Sequence, residues 1–170
     1  MMIHAAMSVL NVGWFDRAMD SGEVVRFYAE GNTPHTGRLA EAQDAERRPV
    51  CDAYGVPYRP LAQYLRDYYG AEGNSVHEQV RNCAYYQSLS PYPTDVWKRW
   101  MGMDTANAHA PFVALADLAG VGAPLHRAVI TMIGGLLGRD IWAESVSLQR
   151  LGLAGMDAAG VRRYVESGQV

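Results

Sequence analysis

A stretch of sixteen residues, from Trp97 to Phe112, holds most of the side chains that could do chemistry. Guanidinium, carboxylate, amide and imidazole groups bind polar ligands, and the last group also moves protons near neutral pH. The stretch has neither a 3.6-residue nor a 2-residue apolar period, so we predict an irregular conformation that is not simply a solvated face. Its polar and aromatic side chains include Trp97, Arg99, Trp100, Asp104, Asn107 and His109. We hypothesise that a helical core holds it against His4, near the start of the chain.

Helices must supply that core. Residues 111–119 and 124–137 are apolar on nearly every turn, which is typical of helices buried inside a domain. In the second segment, Leu125, Val129, Met132, Ile133 and Leu136 lie along one helical face, and we predict that this face is buried. Another helix is predicted to begin at Thr33, a good N-cap followed by proline, and to run to Tyr54 before Gly55. No segment alternates convincingly between apolar and polar residues. We therefore predict an all-α fold in which the whole chain, residues 1–170, forms one domain.

Shorter signals predict the remaining elements, through apolar spacing, glycine stops, proline turns and helix caps. They are a helix over 3–18 broken near Gly13, an extended connection over 24–28, a helix over 60–69, a capped helix over 75–87, a rigid turn over 90–94, and amphipathic helices over 140–151 and 157–166. The helix that begins after Thr33 is predicted to bury an apolar stripe of Leu39, Ala42, Val50, Ala53 and Tyr54, and Glu46 falls on this stripe. Because a bare buried carboxylate is costly, we predict a partner for it from Arg47, Arg48 or another chain.

Composition argues against several classes of protein. A net charge of −3 and a pI near 5.9, without a basic cluster interleaved with aromatics, argue against a nucleic-acid partner. The longest apolar run, 128–137, is well short of the roughly 20 residues that a membrane span needs, and the N-terminus lacks the features of a signal peptide. Cys51 and Cys83 have no metal-ligand spacing, so we expect reduced thiols, no metal and a cytoplasmic location.

Several segments, read together, resemble one known family. His4 to Gly13 is similar to its His-Pro-x-x-x-x-Leu-Asn-Ala-Gly segment. Residues 27–34 and 41–47 are similar to its Tyr-x-Glu-Gly-x-Thr-Pro and Glu-Ala-x-Asp-x-Glu-Arg run, and residues 136–140 and 151–153 to its Leu-Leu-Gly-Arg-Asp and Leu-Gly-Leu. The family is that of the octopine/nopaline (opine) dehydrogenases. Almost the whole chain resembles their C-terminal α-helical domain.

This resemblance implies an activity and a site. In the family, an N-terminal Rossmann domain binds NAD or NADP, and the helical domain holds an amino acid and an α-keto acid that are reductively condensed. The resemblance implies that His4 is the acid/base and that Asp104 orients it, since a carboxylate selects the tautomer of an imidazole and stabilises its charged form. The candidate substrate-binding residues are Arg99, Asn11, Trp100, Asn107 and His109.

The nucleotide is not expected to bind to this chain alone. Gly120-Val121-Gly122 lacks the third glycine and the preceding strand of a dinucleotide-binding motif. Because the chain begins almost at the catalytic histidine, hydride transfer is expected to need a Rossmann domain, either in a longer polypeptide or in a separate chain. A homodimer is also compatible with two strongly apolar helices.

The family pattern is not followed everywhere, which leaves two alternatives open. Arg99 and Asp104 match the Arg and Asp of the family's Arg-Tyr-x-x-Glu-Asp-Val-Pro-Tyr-Gly motif, but Met103 replaces its Glu and residues 105–108 replace its Val-Pro-Tyr-Gly. Ala5 replaces the Pro that follows the family's histidine. One alternative is a non-redox enzyme, an isomerase or cyclase, that acts on an imine, amino acid or keto acid with the same His/Asp pair. The other is a non-catalytic helical module for dimerisation or binding.

Overall fold

The computed structural model describes residues 2–89 and 96–168. Within these ranges the regular elements are helices and no β-strand occurs, which confirms the predicted all-α class. The predicted turn over 90–94 lies outside the described residues. The α-helices are α1 (Met2–Ser21), α2 (Phe27–Gly31), α3 (Pro34–Ala53), α4 (Leu61–Tyr69), α5 (Val76–Asn82), α6 (Ala84–Ser88), α7 (Val96–Asp104), α8 (Ala110–Leu118), α9 (Pro124–Leu137), α10 (Ile141–Glu144) and α11 (Ala158–Ser167). A π-helical turn, Thr105–His109, joins α7 to α8.

Helix α1 lies at the centre of the packing, against α3, α7 and α9. Its buried residues include Ala6 and Met7 in the first half and Phe15 in the second. The predicted break near Gly13 is wrong, because the helix continues through this exposed residue. Glycine costs about 1 kcal/mol inside a helix, and burial of apolar side chains on both sides of Gly13 outweighs that cost.

Helix α3 begins and ends as predicted. Thr33 is its N-cap, and the threonine hydroxyl accepts a hydrogen bond from the backbone N–H of Thr36. Near the start of the helix, Gly37 lies directly against α5, where an added Cβ would be 2.9 Å from the backbone nitrogen of His77. The missing side chain at Gly37 therefore allows the backbones of α3 and α5 to approach closely.

The buried face of α3 is more polar than the predicted apolar stripe. Ala42 and Ala53 are exposed, whereas Asp44 is buried. The Asp44 carboxylate accepts hydrogen bonds from the hydroxyl of Tyr58, at 2.6 Å, and from the backbone N–H of Leu61, at 2.8 Å. These partners make the burial of a carboxylate tolerable, and they fix the segment before α4 against α3.

The segment from Trp97 to Phe112 is helical throughout, so the irregular conformation predicted for it is wrong. Helix α7 continues into the π-helical turn and then into α8, and the backbone N–H of Ala110 donates to the carbonyl of Thr105, five residues earlier. This wider turn displaces the following side chains around the helix axis. The displacement explains why no 3.6-residue period runs through the segment.

Three shorter predictions are wrong in part. Tyr28, predicted in an extended connection, lies in α2. The helix predicted over 75–87 is divided at Cys83, which has extended backbone torsion angles and separates α5 from α6. The helix predicted over 140–151 is limited to α10, because Ser145 is also extended and turns follow it. By contrast, α4 and α11 begin and end within a residue of the predicted bounds.

Helix α9 buries a different face from the one expected from its sequence. Ile133 and Val129 are buried as predicted, but Met132 and Leu136 are exposed, and His126 takes a buried position instead. Apolar residues lie almost all around this helix, so their spacing could not identify the side that packs on α1 and α8. Among the described residues, neither α9 nor any other helix is long and apolar enough to cross a membrane.

Candidate active site

His4 and Asp104 meet although one hundred positions separate them in sequence. His4 lies in the first turn of α1, Asp104 is the last residue of α7, and the two helices pack together. The distance from His4 Nδ1 to Asp104 Oδ2 is 2.6 Å. An ionised carboxylate can only accept, so Nδ1 carries the hydrogen and donates it. The aspartate thereby orients the imidazole and selects its tautomer.

The same contact controls the charge of Asp104. Burial raises the pKa of this carboxyl group, but the hydrogen bond from His4 and the charge of the imidazolium lower it, and the net pKa lies below the usual value. The carboxylate is therefore ionised at neutral pH.

The other nitrogen of His4 contacts a residue that the sequence analysis did not select. Tyr28, in α2, places its hydroxyl oxygen 2.6 Å from His4 Nε2. With hydrogen on Nδ1, neutral His4 accepts at Nε2 and the Tyr28 hydroxyl donates. Tyr28 begins the Tyr-Ala-Glu-Gly run in which the family resemblance was noted, and this was the one available signal.

Aromatic rings surround the His4 imidazole. Trp100, from α7, stacks on it with ring centroids 5.4 Å apart and an angle of 13° between the planes. Phe27 approaches from α2 at 5.9 Å in an edge-on arrangement. These contacts restrict rotation of the imidazole. Trp100 therefore lies beside the acid/base candidate, although it is not among the residues that line the adjacent cleft.

A cleft of about 650 Å³ opens beside His4. Its lining combines polar and basic side chains with tyrosine, leucine and phenylalanine side chains. The polar group is His4, Tyr28, Arg47, Arg59, His109 and His126; the rest of the lining includes Leu61, Tyr64, Leu65, Tyr69, Tyr85, Tyr86, Leu89 and Phe112. A cleft with this volume and mixed lining is suited to a small organic molecule.

A second His–carboxylate pair lies in the wall of the cleft. Glu46 accepts hydrogen bonds from the backbone N–H groups of Leu125 and His126, at 2.7 and 3.1 Å, and its Oε2 lies 2.8 Å from His126 Nδ1. The carboxylate thus satisfies the exposed N–H groups at the start of α9. Arg47, one of the partners predicted for Glu46, pairs with Asp44 at 2.5 Å instead.

Three other residues that the sequence analysis proposed for substrate binding differ in their position relative to the cleft. His109, in the π-helical turn, is buried and lines the cleft. Arg99 and Asn107 are exposed and do not line it. Asn107 Nδ2 donates to the carbonyl of Met103, one turn earlier, at 2.8 Å. The geometry thus associates only His109 of these three with the cleft.

Asn11 is also outside the cleft lining, and its contacts are structural. Its Nδ2 donates to the carbonyl oxygens of Met7, at 2.7 Å, and Gly31, at 2.8 Å. The side chain thereby joins α1 to the end of α2. It holds α2, and with it Tyr28, in position against α1. The substrate contact predicted for Asn11 remains a prediction.

Comparison with known proteins identifies the family. The family described as NAD/NADP octopine/nopaline dehydrogenase, alpha-helical domain, matches residues 1–137. The chain belongs to this family. The opine dehydrogenase of Arthrobacter sp. (strain 1C) is 30% identical over 165 residues, which are 97% of this chain and 45% of that protein. The vitopine synthase of Allorhizobium ampelinum is 25% identical over 130 residues, 76% of this chain and 36% of that protein. The chain thus spans less than half the length of these relatives.

The family description names NAD and NADP, so we asked whether the described residues fit a dinucleotide. The glycines of residues 120–122 follow helix α8 rather than a strand, and no strand–turn–helix unit occurs in the described ranges. These residues do not form the usual phosphate-binding loop. We assign no residue of this octopine/nopaline dehydrogenase helical domain to the nucleotide. The same ranges hold no cluster of three or more His, Cys, Asp or Glu side chains that could bind a metal ion.

Proposed function

We propose that this chain is the substrate-binding and catalytic helical domain of an opine-type oxidoreductase, which condenses an amino acid with an α-keto acid and reduces the resulting imine. The observation that supports this most is the contact of His4 with Asp104 at the edge of a cleft. A histidine with one nitrogen fixed by a carboxylate is suited to general acid/base catalysis at the other. Membership of the family supports the choice of reaction class.

His4 supplies the proton transfers of the condensation. When the amine adds to the keto carbonyl, the carbonyl oxygen must finally leave as water, and this requires a proton. The imidazolium of His4 provides that proton from the side of Nε2, while Asp104 stabilises the positive charge before transfer. After dehydration, the neutral imidazole retains its hydrogen bond to Asp104.

Two guanidinium groups support the choice of substrates. Arg47 and Arg59 both line the cleft, and the condensation of an amino acid with a keto acid brings two carboxylates together. Arg47 is paired with Asp44 and Arg59 with Asp67. A guanidinium has five N–H donors, so further donors can contact a substrate carboxylate. The tyrosine and leucine lining is suited to the side chain of the amino acid.

The same proposal includes a nucleotide cofactor, a protein partner and a cellular location. The hydride that reduces the imine is the contribution of NADH or NADPH, bound by a Rossmann domain in the same polypeptide or in another chain. Exposed Met132, Leu136 and Trp142 support a protein partner for this domain, either that domain or a second copy in a homodimer. The free thiols of Cys51 and Cys83 support a reducing, cytoplasmic location.

The first test is substitution of His4 in a protein that includes a nucleotide-binding domain. Oxidation of NADH or NADPH is measured with an amino acid and an α-keto acid. His4→Gln should lower kcat about 10²–10⁴-fold, the usual contribution of a general acid/base. His35→Gln, which replaces an exposed histidine of α3, should leave kcat unchanged. An unchanged rate for His4→Gln would refute the proposal, and turnover without any nucleotide would favour the non-redox alternative.

A further inference from the structure

Both nitrogens of the His4 imidazole already have partners. Nδ1 is 2.6 Å from Asp104, and Nε2 is 2.6 Å from the hydroxyl of Tyr28. Stacking by Trp100 covers one face of the ring. A substrate oxygen therefore cannot form a direct hydrogen bond with Nε2 unless it displaces the Tyr28 hydroxyl.

Packing of the Tyr28 ring opposes that displacement. Tyr28 is buried, its ring meets Phe27 edge-on at 5.2 Å, and it contacts Tyr86 at 4.9 Å. The short helix α2 that carries it is tied to α1 by the hydrogen bond from Asn11 Nδ2 to the carbonyl of Gly31. Moving the hydroxyl away from His4 would disturb these contacts, so the hydroxyl is expected to remain bonded to His4 Nε2.

A phenolic hydroxyl at this position can both donate and accept a hydrogen bond. Tyr28 and His4 both line the cleft, so a substrate oxygen can approach Tyr28 while the hydroxyl keeps its contact with Nε2. Tyrosine alone is a weak acid, with an ordinary pKa of about 10. An imidazolium behind it removes this difficulty, because the phenol is reprotonated as it releases its own proton.

Resting on the function proposed above, we propose that Tyr28 is a catalytic residue that passes the proton between His4 and the substrate. In dehydration of the amine adduct, the Tyr28 O–H bond breaks and its proton goes to the departing hydroxyl, which leaves as water. The bond between carbon and that oxygen breaks while the nitrogen lone pair forms the C=N bond. The proton on His4 Nε2 moves to the Tyr28 oxygen. His4 ends neutral, Tyr28 is unchanged, and the positive charge lies on the iminium.

This half-reaction can be measured on the chain itself, without a nucleotide. Pyruvate labelled with ¹⁸O at the keto carbonyl is mixed with L-alanine, and loss of label to water is followed by mass spectrometry. Imine formation and rehydration release the label, and each cycle requires the proposed proton transfer. We expect Tyr28→Phe to lower the catalysed exchange about 10²-fold or more, as for loss of a general acid. His4→Gln should have a similar effect, and the double variant should be little worse than either single variant.

Tyr54→Phe is the matched control. It removes a tyrosine hydroxyl that donates to the backbone carbonyl of Leu115 at 2.8 Å, away from the residues that line the cleft. Its exchange rate should equal that of the unaltered chain. Circular dichroism and the imidazole NMR signals of His4 identify a Tyr28→Phe variant that remains folded with the Asp104 contact intact.

The number of protons that move in the rate-limiting step distinguishes a proton relay through Tyr28 from a positioning role of Tyr28. For the unaltered chain, the exchange rate should decrease nonlinearly as the fraction of D₂O in the solvent rises, because two protons move together. A linear dependence, or an undiminished rate in a folded Tyr28→Phe chain, would overturn the relay. A His4→Gln chain as fast as the unaltered one would instead overturn the proposed function. Absence of catalysed exchange in the unaltered chain would overturn both.

Discussion

His126 is a buried histidine whose partner is a carboxylate, and its charge matters for stability. Burial lowers its pKa from the usual 6.5, although Glu46 acts in the opposite direction. A histidine with a lower pKa in the folded state is protonated first in the unfolded state as the pH falls. The free energy of unfolding should therefore decrease as the pH drops from about 6.5 through the folded-state pKa.

This effect can be isolated with His126→Gln, which keeps a side-chain donor for Glu46 but cannot be protonated. Urea unfolding of the unaltered chain should show lower stability at about pH 5.5 than at about pH 7.5. The variant should lose less stability between the two, because one proton-binding group has been removed. Identical losses in both chains would mean that His126 does not contribute to the pH dependence.

The sequence predicted the site residues that match a family motif, but it did not predict contacts that depend on how the helices pack. His4 and Asp104 were selected through the family resemblance, and they meet in the structure. Asn11 and Asn107 were also selected from the sequence, and in the structure both donate to backbone carbonyls. Their substrate contacts remain predictions. Tyr28 was not selected, because only its place in the Tyr-Ala-Glu-Gly run pointed to it, and the local sequence does not show that α2 packs against the start of α1.

At the scale of helices, the close approach of α3 and α5 predicts opposite effects for two helical glycines. Gly37→Ala should lower stability by about 1–3 kcal/mol, because the new Cβ meets the backbone of His77. Gly13→Ala, on the exposed side of α1, should raise stability by about 0.5–1 kcal/mol, since its Cβ meets only Arg17, at 3.8 Å. Urea unfolding measures both. A stabilising Gly37→Ala would show that α3 and α5 can separate without cost.

Capping residues and glycines in the sequence predicted helix ends that depend on local hydrogen bonds. Thr33 begins α3, the left-handed Gly70 ends α4, and Asp157 caps α11, all as the sequence indicated. The π-helical turn was missed because it has no capping signal and because it removes the period by which helices are recognised. Apolar periodicity therefore failed to predict the helical conformation of the segment that contains most of the candidate site residues. Such turns are frequent at functional sites.

At the scale of the whole molecule, the buried face of α9 predicts different outcomes for substitutions at two neighbouring positions. Ile133 is 0% exposed and Met132 is 45% exposed. Ile133→Asp should unfold the chain, because an unpaired buried charge costs about 4 kcal/mol or more. Met132→Asp should be tolerated and change stability by about 0.5 kcal/mol or less. Circular dichroism during heating measures both, and a folded Ile133→Asp would contradict the described core.

A milder substitution keeps the same test quantitative. Ile133→Val removes one methylene group and should lower stability by about 0.5–1.5 kcal/mol without unfolding the chain. The sequence predicted the all-α class and placed Ile133 in the core, but it placed Met132 there too. Where nearly every position of a helix is apolar, orientation is decided by the neighbouring helices, and their arrangement is a property of the folded chain alone.

The separation of His4 and Asp104 along the chain also bears on how the protein folds. Contacts between distant positions form late, because closing a long loop costs entropy before any contact compensates for it. Helices α1 and α7 can begin to form early, yet the imidazole and the carboxylate meet only when α1 packs against α7. The Nδ1–H resonance of His4 is therefore a reporter of refolding: its appearance marks the moment at which the first and seventh helices dock, and a trapped intermediate would lack it.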